Sequence, residues 1–308
     1  QTAEYSDILT EKDLKDNYEA AMAALRAKVE DVNKCVVAVD IEQPFSDVPT
    51  IESSQTEVAG LVVANINSTY LVLTSSSLLE PGMNYIVRLS DEVQTEAAFV
   101  CRNTASGIGI VSINASKLTA QQRNSIAVAQ LDNSYMVNQG DLVIASGKLY
   151  ETSKGVSYGT IAGSKVEYSK DSGYEVFETS VSITAGGFAI LFNSEGNVVG
   201  VSKASTDTST KFIGISDLKA QIETMINEHG IMYCGITGQN VTDELAAKYG
   251  LPSGVYISNV DIDSPAYYAG LQAGDVINAI NGQSILTIQQ FSEKLYQCGN
   301  GQQIQVKV

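Results

Sequence analysis

The chain has 308 residues, 44% of them hydrophobic, which is enough for two or three domains with substantial cores. Nineteen Lys and Arg against thirty-five Asp and Glu give a net charge of -16, a field that repels phosphate backbones and argues against nucleic acid as a partner. The four cysteines, Cys35, Cys101, Cys234 and Cys298, lie far apart with no CxxC and no His beside them. No metal site is expected from them, and each reads as a small buried hydrophobe, with one disulfide left open. Nothing calls for a cofactor. No apolar run reaches the length of a membrane span, and no basic segment leading into an apolar one marks a leader. The chain begins at Gln1 without an initiator Met, so a mature form is expected, with a signal or membrane anchor upstream of it.

Residues 1 to 9 are polar and read as a frayed end. Thr10 then caps a helix, with Asp13 in place of the usual Glu of a capping box. Leu14, Tyr18, Met22, Leu25, Val29 and Val32 recur at three- and four-residue spacing, one apolar stripe on a helix of about twenty residues. The stripe should pack on the body behind it or on a second copy in a homo-oligomer, which makes 1–33 an N-terminal segment and amphipathic helix.

Lys34 to Asp40 reads as a buried strand, and Ile41 to Glu57, with Pro44 and Pro49, as an irregular polar excursion. Val58 to Ala64 and Tyr70 to Thr74 form a hairpin around residues 65–68, and strands follow at Asn84 to Leu89, Ala97 to Arg102 and Ile108 to Ile113. Short strands at this spacing predict a closed antiparallel barrel over 34–120. From Gln121 the pattern restarts with strands at Ser125 to Leu131, Asp141 to Gly147, Val156 to Lys165 and Tyr174 to Ile183. A hairpin over Ile183–Phe192 and Asn193–Val201, turning on Ser194 to Asn197, and a strand at Lys211 to Ile215 complete a second barrel. A helix from Ile215 to His229 follows, with Leu218, Ile222, Met225 and Ile226 on one side, Ser216 near its cap and Gly230 as its stop. The two barrels and this helix make 34–229 one double-barrel unit, its second half 121–229. His229 is the sole histidine and suits the negative end of that helix's dipole. A Ser-His-Asp or Cys-His pair would need that helix end to reach a cleft.

Two stretches carry a family resemblance. In the first, Ile183-Thr184-Ala185-Gly186-Gly187-Phe188 leads into an apolar hairpin, and this resembles the nucleophile loop of HtrA/DegP-type, trypsin-like serine proteases, where a serine precedes Gly-Gly and loop amides form an oxyanion hole. The resemblance puts the degenerate nucleophile position at Ala185 and a vestigial oxyanion loop at Thr184, Gly186 and Gly187; the run before Gly186 is about three residues shorter than the family's. Leu73-Thr74-Ser75-Ser76-Ser77 is similar to the segment bearing the family's catalytic histidine, which falls on Ser77. Ala105-Ser106-Gly107-Ile108 is similar to the segment bearing the catalytic aspartate, which falls on Gly107. The resemblance thus implies a mostly β fold of two six-stranded antiparallel barrels in which all three catalytic positions have lost their chemistry.

In the second stretch, Tyr233-Cys234-Gly235-Ile236, Leu251-Pro252-Ser253-Gly254, Ser264-Pro265-Ala266 and Ala273-Gly274-Asp275-Val276 through Asn281-Gly282 resemble a PDZ domain over 230–308. Ser264 as N-cap, Pro265 at the first helical position and Asn281-Gly282 as a hairpin turn have direct physical readings. The resemblance implies that an extended peptide adds to a sheet edge, its terminal carboxylate taken by amides of Tyr233, Cys234, Gly235 and Ile236. Its last side chain would enter a pocket walled by Ile288, Phe291 and Leu295 on a helix from Thr287 to Gln297. Asp261, Asp263, Asp275 and the overall charge disfavour an acidic ligand tail. The expectation is a catalytically inactive HtrA-like protein in the cell envelope or secreted, binding protein C-termini or unfolded segments as scaffold or regulator. The alternative is an active endopeptidase with a non-standard arrangement, such as Ser-Lys using Lys148, Lys154 or Lys203, or one whose nucleophile was replaced at Ala185.

Overall fold

In the computed structural model, residues 11–41, 57–90, 93–150, 154–203, 205–227, 230–299 and 301–308 are described. The expected cap Thr10, the excursion over residues 42–56 and His229 lie outside them. Helix α1 (Glu11–Val32) forms as its periodicity predicts, but only its last turns reach the body. Val32 is buried in the barrel core with Leu25 and Val29 against it, whereas Leu14 and Tyr18 are 56% and 67% exposed.

Strands β1 (Val36–Ile41), β2 (Val58–Ile66), β3 (Thr69–Ser75), β4 (Asn84–Ser90), β5 (Val93–Asn103) and β6 (Ile108–Asn114) close a barrel in the order β1-β2-β3-β6-β5-β4. Every pairing is antiparallel, and closure leaves no edge for another chain to extend. The β2–β3 turn is tighter than the sequence suggests: Asn67 and Ser68 alone make it, at φ 50° and 62°, the backbone that suits the twist of a two-residue hairpin.

After helix α2 (Ala120–Asn124), the expected strand at Ser125 to Leu131 is not a strand of either barrel. Its amides go outward in alternation: Ala127 N donates to Lys34 O and Ala129 N to Val62 O, and Leu131 forms only an isolated bridge to Val198. The segment is a strap from one barrel to the next, and its apolar residues are those of a seam between them.

The second barrel is built from β7 (Leu142–Gly147), β8 (Gly155–Ser169), β9 (Ser172–Ile183), β10 (Ala189–Phe192), β11 (Val198–Ser202) and β12 (Ser209–Gly214), closed in the order β10-β11-β12-β9-β8-β7. Phe177, Phe188, Phe192 and Phe212 are fully buried in and around it. The barrels meet where Gly147, at φ 146°, lays its backbone on Phe188 O, Ala189 and Ala59, leaving no space for a side chain. The following helix is shorter than expected. A 3-10 turn takes Ile215–Leu218, and α3 covers Lys219–Ile226 with Asn227 as its C-cap. Ser216 is not a helix cap, because its hydroxyl accepts from Ser134 N instead.

The C-terminal unit has two small sheets, β13 (Ile236–Asn240), β14 (Val255–Val260) and β15 (Val276–Ile277), then β16 (Ala279–Ile280), β17 (Gln283–Ser284) and β18 (Val306–Lys307). Helices α4 (Asp243–Tyr249), α5 (Pro265–Tyr268) and α6 (Ile288–Tyr296) close them. The local signals hold: Ser264 Oγ accepts from Tyr267 N with Pro265 at the helix start, Thr287 Oγ1 accepts from Gln290 N, and Asn281 and Gly282 take φ 48° and 77°. The unit is moored to the barrels by Tyr296, whose hydroxyl accepts from Asn103 Nδ2 at 3.1 Å and whose carbonyl accepts from Thr224 Oγ1 at 3.0 Å. All four cysteines are free thiols.

Candidate functional site

Two of the three positions singled out by the resemblance are brought near each other by the first barrel. Ser77 lies just after β3 and Gly107 just before β6, and Ser76 N donates to Gly107 O at 2.9 Å. Ser77 is exposed, and its Oγ lies 2.8 Å from Ser75 Oγ, a hydroxyl pair with no base in it. Gly107 takes φ 79°, in the left-handed region that glycine enters at no steric cost.

Ala185 is exposed in the turn between β9 and β10, and among the described residues no hydrogen bond links it to Ser77 or Gly107. The loop around it spends its donors internally. Thr184 N donates to Leu149 O, Gly186 N to Ser205 O at 3.0 Å, and Gly187 N to Thr184 O at 2.9 Å. An oxyanion hole needs free amides aimed at one point. The amides of Thr184, Gly186 and Gly187 are instead held by carbonyls of this chain. The lysines of the Ser-Lys alternative are engaged as well, with Lys154 Nζ on Leu89 O at 2.8 Å and Lys203 on Glu167.

The loop at Tyr233 to Ile236 is a different matter. The amides of Cys234, Gly235 and Ile236 converge on a single carboxylate, that of Asp171: Cys234 N to Oδ2 at 2.9 Å, Gly235 N to Oδ1 at 2.8 Å and Oδ2 at 2.9 Å, and Ile236 N to Oδ1 at 2.8 Å. Gly235 takes φ 92°, which lets successive amides point the same way and form an anion-binding concavity. Asp171 is 3% exposed. Burial pushes its carboxyl above the ordinary aspartate range, and the amides of Gly235, Ile236 and Cys234 pull it back.

Beside this loop, β13 and α6 are joined where Asn240 Oδ1 accepts from Ile288 N at 2.7 Å. Ile288 and Phe291 are fully buried and Leu295 is 5% exposed, all within the apolar cluster that holds Ile236, Val255 and Ile277. Leu295 also lines a cleft of about 580 Å³ with Tyr233, Cys234, Ala266 and Leu271. Tyr233 stands at the rim, half exposed, donating its hydroxyl to Asp261 Oδ2 at 2.8 Å.

Comparison with known proteins agrees with this architecture. Residues 58–201 match the trypsin-like peptidase domain and residues 256–304 the PDZ domain. The chain thus resembles DegP-like proteins, with a match to the trypsin-like peptidase domain followed by a match to the PDZ domain. A probable periplasmic serine endoprotease, DegP-like, of Pseudomonas savastanoi pv. phaseolicola (strain 1448A / Race 6) is 27% identical over 226 residues, 70% of this chain and 46% of the relative. Its counterpart in Marinomonas sp. (strain MWYL1) is 27% identical over 255 residues, 79% of this chain and 52% of the relative. The chain therefore spans about half the length of the curated relatives it matches. The solved structure of the HtrA-type protease AlgW with tripeptide superposes with a TM-score of 0.61 at 20% identity, covering 92% of each chain. AlgW with decapeptide gives 0.58 at 18%, covering 90% of each. At those identities the likeness is one of fold.

Asp171 and the hairpin that carries it are not evident from the sequence pattern. Strands predicted to end at Lys165 and begin at Tyr174 continue to Ser169 and from Ser172, joined by Lys170 and Asp171 alone. A signal existed, since aspartate tolerates the left-handed backbone that Asp171 adopts at φ 55°. Near the tip, Glu167 gathers three lysines: it pairs with Lys203, with Lys211 at 3.1 Å and with Lys165 at 3.4 Å. The hydrogen bond from Lys203 leads in holding its carboxyl down at about 2. The stabilisation is complete above the ordinary glutamate value near 4.5 and is lost as pH falls from there toward about 2. Because these lysines are about half exposed, Glu167→Gln should cost only about 1 kcal/mol at pH 7 and flatten that acid limb, as urea midpoints measured from pH 7 to pH 2 would show.

Proposed function

We infer that the chain is a pseudoprotease: a DegP-like scaffold without proton-transfer chemistry that binds protein C-termini or unfolded segments through its PDZ groove and acts as scaffold or regulator. The observation carrying this reading is the occupancy of the three catalytic positions by Ser77, Gly107 and Ala185 together with the inward commitment of the Gly186 and Gly187 amides. One missing group can be replaced by another mechanism. Base, orienting carboxylate and nucleophile are all missing at the expected places, and the amides of Thr184, Gly186 and Gly187 are spent on carbonyls of the chain. Peptide binding is supported by the PDZ match and by the built carboxylate site at Cys234 to Ile236. The relatives are described as periplasmic, which supports an extracytoplasmic location.

The purified chain should neither hydrolyse casein nor react with a fluorophosphonate probe, and Ala185→Ser should restore neither, since a new hydroxyl finds no base and no free amide pair. Covalent labelling of either form above a heat-denatured control would end the pseudoprotease reading.

A further inference from the structure

We propose that the β8–β9 hairpin is an internal ligand of the PDZ groove, Asp171 standing in for a C-terminal carboxylate, and that external C-terminal tails bind by displacing it. This deepens the peptide-binding reading and rests on it. The tip reproduces what an added peptide would do. Its carboxylate takes the three loop amides, Asp171 N donates to Ile236 O at 2.8 Å, and Lys170 pairs antiparallel with Thr237 of β13. The returning strand covers the helix side. Ser172 Oγ lies 3.0 Å from Ser292 Oγ, and Gly173 sits so close to Ile288 that a Cβ at 173 would overlap Ile288 Cγ2. A glycine is thus required by the fit itself.

The residue before the carboxylate is also read. Lys170 Nζ pairs with Asp261 Oδ2 at 2.7 Å and lies 5.9 Å from the centre of the Tyr233 ring. An external competitor that copies this chemistry carries a cation immediately before its terminal residue and a free carboxylate, and an acidic residue there would face Asp261. Because the internal ligand is tethered, its effective concentration is high, and apparent affinity for a free tail falls in proportion to the fraction of chains with an open groove.

The test uses the full chain and a fluorescein-labelled octapeptide ending in Lys-Val with a free carboxylate. Asp171→Asn, which keeps a residue tolerant of the left-handed turn, and Gly173→Val, which expels the strand while leaving Asp171 in place, should each tighten binding at least tenfold over wild type. Amidating the peptide should abolish the gain, and Glu-Val at its end should bind at least tenfold more weakly than Lys-Val. Amide hydrogen exchange gives a readout that needs no peptide: Cys234, Gly235 and Ile236 should be protected in wild type and exchange at least tenfold faster in Asp171→Asn. Unprotected wild-type amides, or wild-type affinity equal to that of both variants, overturns the internal ligand while leaving peptide binding standing. Amides released in both variants with no peptide bound by either would overturn the displacement and the peptide-binding reading together, and would leave the hairpin contact as a structural clasp.

Discussion

Gly235→Ala should dismantle the PDZ groove. The site tolerates no Cβ, for two reasons that add. At φ 92° an L side chain is strained, and the added carbon would overlap Ser264 Cβ and lie 2.7 Å from Ser264 Oγ. Ser264 cannot step aside, being fully buried and holding the start of α5 through Tyr267 N. Backbone strain of about 1 kcal/mol plus an overlap in a packed site gives an expected loss of about 3 kcal/mol or more. Gly250→Ala is the matching control: Gly250 also has positive φ, at 67°, but its Cβ would meet nothing within 4 Å, so only the strain of about 1 kcal/mol should appear. Chemical denaturation followed in both variants separates the two contributions. A Gly235→Ala chain no less stable than Gly250→Ala would mean that the loop adapts and that the crowding at Ser264 carries no weight.

Phe291→Ala should be nearly as damaging, and it decides what this residue is for. The sequence-based expectation made Phe291 a pocket wall, whereas the structure buries it completely in the cluster with Ile236, Val255 and Ile277. A core phenylalanine truncated to alanine costs about 3–5 kcal/mol through lost burial and the cavity left behind, while Phe291→Leu keeps most of the volume and costs less than about 1.5 kcal/mol. Measured unfolding free energies in that order identify a core residue. A mild stability loss accompanied by a large change in peptide affinity would instead return Phe291 to the wall of the groove.

The parts of this fold that were legible in the sequence are those whose signals are local. Short apolar strands from β1 to β7, the cap at Ser264 and the turn at Asn281-Gly282 each reside within a few neighbouring residues, and the structure has them close to where the pattern placed them. The strap at 125–131 was misread because its apolar residues obey the strand rule while its amides serve Lys34 and Val62, partners that no periodicity reveals. Helix α1 forms over the length its stripe predicted, but among the described residues only Leu25, Val29 and Val32 pack on the body, while Leu14 and Tyr18 continue the stripe exposed.

The candidate sites divide in the same way. Ser77, Gly107, Ala185 and the loop at Tyr233 to Ile236 were singled out by segment resemblance. What those loops do with their amides could not. The donors of Gly186 and Gly187 are taken by carbonyls at Ser205 and Thr184, and those of Cys234 to Ile236 by a carboxylate 63 to 65 positions earlier in the chain. Tertiary partnership decides whether a loop of the same composition is vacant or filled.

The long hairpin of β8 and β9 is also a ruler. Fifteen residues lead out and twelve lead back, joined by two, and each residue advances the tip by about 3.3 Å. Shortening both strands by one residue would pull the tip back by that step and turn its side chains to the opposite face, leaving the carboxylate out of register with the amides. Removing two from each would restore the face yet leave the tip about 7 Å short of its seat. Strand length and side-chain parity are therefore as much determinants of that contact as the identity of the residue at its end, and a chain could lose the contact by an even-numbered deletion far from the tip while every residue that touches the groove stayed the same.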